Sequence, residues 1–268
     1  MSIFINITTI TMNMTGNAFF LLFIGAVVGA ASGFLGSFMV LKRMSLVGDA
    51  LSHVALPGIA LALLFGMNPM FGALVFLTVA VFGIWYLGEH SDVYPEALVG
   101  VFFTASLAIG ILITPEPELF ESLFGNIENI GFGDGLVTIV AAIFIFLITA
   151  NISKKLLLGI ISEDLARSTG IKMSTVNLTY LLLVGLVVAL GVKFVGTLLT
   201  GALVIVPAAA AKNIAGSIKD FHVMASFIGV LSAVIGILVS QYFGISSGPP
   251  VVLVSTAFFI FSYIFRKK

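Results

Sequence analysis

The sequence has no cysteine, which excludes disulfides, thiolate metal sites and thiol catalysis, so any metal must be held by nitrogen and oxygen ligands. Charge is also scarce. Asp, Glu, Lys and Arg make up 9% of the residues, against roughly a quarter in a soluble domain, too few to cover a water-facing surface. The formal net charge is zero and the pI about 6.8, so there is no basic field of the kind that nucleic acid requires. No Gly-x-x-x-x-Gly-Lys-Ser/Thr loop occurs, so the chain has no phosphate cradle of its own. The absence of His-Glu-x-x-His argues against an intramembrane metal hydrolase. Residues Met1 to Gly16 hold no Lys or Arg, unlike the basic start of a cleaved signal peptide, and the first apolar run is expected to be retained. What the sequence does hold is hydrophobic residues, 60% of the chain, in runs long enough to cross a hydrocarbon core of roughly 30 Å. The expected fold is an all-α polytopic integral membrane protein.

Reading those runs between polar, Gly and Pro punctuation predicts spans at 17–41, 46–66, 69–87, 95–114, 135–152, 173–192, 196–211, 221–242 and 249–265. The seventh is the shortest, so the bundle is expected to hold eight or nine transmembrane helices. Short cytoplasmic loops retain Lys and Arg. With the N-terminus outside, Lys42, Arg43, Lys154, Lys155, Arg167, Lys172, Lys212, Lys219, Arg266, Lys267 and Lys268 fall inside and Lys193 alone outside. The outer segment 114–135 carries Glu116, Glu118, Glu121, Glu128 and Asp134 and no basic residue. An outside N-terminus and a cytoplasmic C-terminus are therefore expected, and residues 1–268 read as one transmembrane domain without an added soluble module. Gly25, Gly29 and Gly33 form a small-residue ridge that lets another helix approach closely. Gly196, Gly201, Pro207 and Ala208 to Ala211 make the seventh span small-sided and breakable. Such a segment is tolerated at membrane depth where it packs on protein or lines a wet cavity.

Eleven of the twelve acidic residues fall in or beside predicted loops, and Asp49 is the exception. It lies in the second span, in GDALSHVALPG, with His53 four residues on and Ser52 between them. Four residues is about one helical turn, so the carboxylate and imidazole share a face and can ligate one ion. A carboxylate within a membrane is expensive and normally faces a polar pathway or a partner. Asp with His suits zinc, manganese or ferrous iron. The bland alternative is that the two simply pair with each other, because two ligands do not close a site. A two-fold dimer would bring two Asp and two His together. Pro57-Gly58, one turn onward, can kink the helix and free carbonyls. His90, between Glu89 and Ser91, and His222, after Asp220, read as interfacial residues.

Two connecting segments are informative. Residues 153–172 form a cytoplasmic connection containing SEDLARSTG from Ser162 to Gly170. Ser162 can cap a short helix there, Glu163 and Asp164 suit its positive end, Arg167 suits its negative end, and Gly170 can close it. Such a helix can dock into a soluble partner or serve as a plain connector. In the outer segment, Leu119, Phe120, Leu123, Phe124 and Ile127 share one helical face among the acids. That face suits the membrane interface, a plug or a docking site.

The stretch VLKRMSLVGDALSHVALPG, Val40 to Gly58, resembles the signature segment of the permease subunits of zinc, manganese and iron ABC importers of bacteria and archaea. The resemblance continues through Leu123-Phe124-Gly125-Asn126, Glu163 to Ile171, Gly196 to Ala211 with its GALVIVPAAA core, and Ser247-Gly248-Pro249-Pro250. It covers nearly the whole chain in order. It implies the type II ABC importer fold, a homodimer of this permease, two ABC ATPase subunits that bind the ATP, and an extracytoplasmic metal-binding protein, in a prokaryotic cell membrane. By the same resemblance Asp49 and His53 match the metal-contacting pair, and Glu163, Asp164, Leu165, Ala166, Arg167 and Gly170 match the helix that couples to the ATPase. The chain is then a transporter subunit and not itself an enzyme, with zinc, manganese or iron as cargo carried by alternating access. An ATP-independent secondary metal transporter or channel built on the same pair is the alternative reading.

Overall fold

The structure, a computed structural model, describes residues 16–113, 131–197 and 199–266. Ten helices and no strand occur among the described residues. They are α1 (Gly16–Leu41), α2 (Ser45–Leu64), α3 (Pro69–His90), α4 (Pro95–Ile113), α5 (Phe132–Ile161), α6 (Glu163–Ser168), α7 (Met173–Val195), α8 (Thr200–Ile214), α9 (Ile218–Phe243) and α10 (Gly248–Ile264). Nine of these fall on the nine predicted apolar segments, and α6 is the short helix expected after Ser162. Seven helices are long and apolar enough to cross a membrane, while α8 and α10 are shorter apolar helices. Most of the acidic segment 114–135, expected on the outside, with Glu116, Glu118, Glu121, Glu128 and the apolar face 119–127, lies outside the described residues, as do Lys267 and Lys268.

The helix boundaries follow local chemistry. At α3, Asn68 accepts a hydrogen bond from the Met70 N–H and Pro69 occupies the first turn, where its missing N–H is harmless. At α9, the Ser217 side chain accepts from the Asp220 N–H, and the helix stops at Gly244 in the left-handed region. Several helices outrun the predicted spans, α3 and α5 among them. α3 continues to His90, so His90 is a helix end and not a loop residue. α5 runs on to Ile161 and takes in Lys154 and Lys155, which stand exposed on the helix. The stretch Leu156-Leu157-Leu158 keeps forming helix after the membrane-length run is complete.

Lipid offers no hydrophobic drive between helices, so they associate where small residues let backbones approach. The glycine ridge of α1 does this against α9. A β-carbon on Gly29 would run into the Gly229 carbonyl oxygen, and one on Gly33 into that of Ala225. A second crossing of this kind joins α2 to α3 at Gly58 and Gly72. The result puts α2 at the centre: it packs against α3, α4, α7 and α8, and every residue from Leu51 to Ala60 is buried. The helix that carries the two candidate ligands is thus enclosed by protein over most of its length.

Candidate functional site

Asp49 stands in the second turn of α2, half-buried, and His53 one turn further on with 9% of its surface exposed. Among the described residues the two make no hydrogen bond or ion pair with each other. The two ion pairs found lie elsewhere, Arg167 with Glu163 and Lys193 with Asp134. The His53 Nδ1 is buried without a hydrogen-bond partner, and the Phe103 ring of α4 meets the imidazole edge-on at 5.2 Å between centroids. Helix α2 continues through Pro57. Proline has no N–H to return to the carbonyl four residues back, which here is that of His53. One carboxylate, one imidazole with an unused nitrogen and one weakened carbonyl therefore lie within a single turn, a donor set suited to a borderline divalent cation. No group of three or more His, Asp or Glu that could hold a metal occurs among the described residues. As metal donors the two residues alone would be an incomplete set.

The pair is positioned from the other side by the break between α7 and α8. Gly196, at the end of α7, has φ 84°, a conformation open to glycine and strained for other residues. Gly201, in the first turn of α8, lies so close to α2 that a β-carbon there would sit 2.7 Å from both the α- and β-carbons of Asp49. Between Asp49 and His53, the Ser52 hydroxyl is fully buried, 2.6 Å from the Asp49 carbonyl oxygen and 2.5 Å from that of Thr197. The small residues of the seventh predicted segment are therefore used: α8 packs against α1, α2, α9 and α10.

The short helix α6 has the predicted construction. Ser162 accepts a hydrogen bond from the Leu165 N–H, Arg167 bonds Glu163 at 2.8 Å, and Gly170 turns the chain at φ 82°. The guanidinium is held above its usual pKa, first by that hydrogen bond and then by the charge of Glu163. Ala166 is fully buried and seats the helix on α5 and α7. Glu163, Asp164, Leu165 and Arg167 face outward with Ile161 beside them. Close by, at the α1–α2 turn, the Lys42 ammonium donates to Asn177 Oδ1 at 2.8 Å and lies over the Tyr180 ring. Burial pushes the Lys42 pKa down, and Glu163 acts against that shift.

His222 departs from the interfacial reading. It is 9% exposed, 2.5 Å from the Ser37 hydroxyl through Nδ1, and stacked on Phe38 at 4.3 Å. Ser217 caps α9 one turn before the apolar run, so His222 lies in its second turn, where it packs on α1 through Ser37, Phe34 and Phe38. His90 is exposed, as expected, with Nδ1 on the Tyr86 carbonyl.

A family model described as "ABC 3 transport family" matches residues 14–266. The chain is 34% identical over 245 residues to the manganese transport system membrane protein MntC of Listeria monocytogenes, covering 90% of this chain and 88% of that protein. It is 33% identical over 246 residues to the manganese import system permease protein ScaB of Streptococcus gordonii, with the same two coverages. The zinc uptake system membrane protein ZnuB of Buchnera aphidicola is 29% identical over 246 residues, covering 89% of this chain and 94% of that one. Among solved structures, PsaBC from Streptococcus pneumoniae in complex with Fab superposes with a TM-score of 0.82 at 31% identity, covering 94% of this chain and 92% of that one. An inward-facing metal-chelate type ABC transporter shares the fold, with a TM-score of 0.75 at 16% identity, covering 92% and 86%.

Proposed function

Because the chain belongs to the ABC 3 transport family, we propose that it is the transmembrane permease of an ABC importer that brings a divalent transition metal, manganese or zinc, into the cell. Relatives named for manganese and for zinc transport stand on either side of that choice, and those named for manganese have the higher identities. ATP is hydrolysed by separate ATPase subunits, and an extracytoplasmic binding protein delivers the ion. The observation that carries the site is the Asp49/His53 pair on the enclosed helix α2, with the two residues unbonded to each other and His53 Nδ1 without a partner. A structural pair would be mutually satisfied, since buried polar groups normally find partners. A transit site must bind and then release, and two ligands per chain provide for both. Two copies of the chain, related by a two-fold axis, complete a four-ligand set of N and O donors.

In this mechanism the ion enters from the outside, is held transiently by Asp49 and His53, and passes inward when ATP drives the alternate conformation. The outward face of α6, with Glu163, Asp164, Leu165 and Arg167, receives the ATPase, while Ala166 keeps the helix seated on the bundle. The basic residues Lys42, Arg43, Lys154, Lys155, Arg167 and Lys172 then lie on the cytoplasmic side.

The test is uptake of manganese and zinc by proteoliposomes holding the permease with its ATPase and binding protein. Asp49→Ala and His53→Ala are each expected to lower ATP-dependent uptake at least tenfold, with assembly and ATP hydrolysis retained. Unchanged uptake in both variants would remove the pair from the pathway, and uptake without ATP would favour a secondary transporter.

A further inference from the structure

We propose that Ser52 is a positioning residue of the metal pair, pinning the Asp49–His53 turn of α2 to the break between α7 and α8 so that the two segments move as one body. The inference rests on the reading of Asp49 and His53 as the transit site. Ser52 falls between the two ligands in sequence, and its hydroxyl is fully buried. Its single proton has two acceptors within reach, the Asp49 carbonyl at 2.6 Å and the Thr197 carbonyl at 2.5 Å. Donation to Asp49 keeps the bond within α2, whereas donation to Thr197 joins α2 to the link that leaves α7. Both acceptors lie within reach in the one geometry, so the hydroxyl bridges α2 to that link.

A second contact closes the same joint. Gly201 brings the first turn of α8 against the main chain of Asp49, leaving no room for a β-carbon. The turn that carries both ligands is thus gripped by a hydrogen bond at Thr197 and by backbone contact at Gly201. The chain reaches Thr197 from Gly196, whose φ is 84°. The Thr197 hydroxyl is itself buried without a partner, so the link is held there by its carbonyl and not by its side chain. A displacement of the link therefore reorients the carboxylate and the imidazole together. Hydrogen bonds that orient metal ligands commonly account for a tenfold or larger part of the affinity.

The experiment is manganese binding to the purified permease–ATPase complex, followed by isothermal titration and by the loss of the free-ion electron paramagnetic resonance signal, for Ser52→Ala, Ser52→Thr and Gly201→Ala. Ser52→Ala is expected to weaken binding roughly tenfold, with the complex still assembled and only a small fall in melting temperature. Ser52→Thr, which keeps the hydroxyl, is expected to restore binding. Gly201→Ala leaves Ser52 intact, displaces Asp49, and is expected to weaken binding to a similar extent, which keeps the test open if Ser52→Ala fails to assemble. Wild-type affinity in Ser52→Ala, or equal loss in Ser52→Thr, would overturn the positioning role. Asp49→Ala and His53→Ala in the same assay separate the two ideas. If they abolish binding while Ser52→Ala does not, the transit site stands and the positioning role falls. If they leave binding intact, the transit site falls first.

Discussion

At the scale of single residues, the charges outside the spans give the sharpest expectations. Arg167 and Glu163 form an ion pair one turn apart, both well exposed, and water and salt screen such pairs so that they add little to stability. Replacing both with alanine should leave the melting temperature of the purified protein nearly unchanged. A loss of ATPase association in a pull-down would then report docking and not folding. Lys42 differs, because burial lowers its pKa against the opposing influence of Glu163. The sign follows directly. Between the lowered folded value and the ordinary lysine value of about 10.4, the unfolded chain holds more protons, so stability rises with pH across that window. Below it the folded protein bears the full cost of the buried charge. Thermal unfolding from neutral to alkaline pH should show this rise in the wild type and a flatter profile in Lys42→Met. At the turn beside it, Arg43 has φ 59°, the one positive value for a non-glycine residue among those described. Arg43→Gly should relieve a cost of about 1 kcal/mol or more, seen as a higher melting temperature.

At the scale of helices, glycines divide into those that hold the bundle together and those that do not. Gly229 faces Gly29 across the α1–α9 crossing, where a β-carbon would strike the opposing carbonyl oxygen. Gly229→Ala should therefore cost about 1–3 kcal/mol, as overpacking does, and lower the melting temperature. Gly100 in α4 has open space around it, and Gly100→Ala should be neutral or stabilising by up to about 1 kcal/mol. The ridge at Gly25, Gly29 and Gly33 was readable from its spacing, whereas its partner was not, since the four-residue spacing of one helix does not say which other helix meets it. The short helix α6 was readable to its last turn, because a serine cap, first-turn acids and a closing glycine are all local signals. The ends of α3 and α5 were not readable, because hydropathy marks where a membrane run ends and not where the helix does. His222 was misplaced for a related reason: the cap at Ser217, a local polar signal, sets the start of α9, and not the first apolar residue.

At the scale of the whole molecule, the candidate site was legible as a pair and not as an environment. Asp49 and His53 stand out because they share one helical turn in an apolar stretch. Phe103, Thr197 and Gly201, which surround them, come from α4 and the α7–α8 region, over 40 residues away in sequence at the least. Nothing in their local spacing points to α2. Membership of the ABC 3 transport family joins these segments into one machine, and the proposed use of Asp49 and His53 as two donors per chain carries a stoichiometric consequence. If two copies complete the coordination, equilibrium dialysis of the purified complex should find one manganese ion for every two permease chains. One ion per chain would place a complete site within each copy.

The length of α8 bears on how the protein is made. Fifteen residues of helix span about 22 Å, short of a hydrocarbon core of roughly 30 Å, so lipid alone cannot shelter both of its ends. When this segment leaves the ribosome it has no stable resting place until the helices that enclose it, α9 and α10 among them, have followed. Membrane insertion of the C-terminal quarter is therefore expected to be cooperative and not helix by helix. Chains cut after Ile214 and carried clear of the ribosome on a C-terminal linker should expose α8 to proteases, and chains extended past Ile264 on the same linker should protect it.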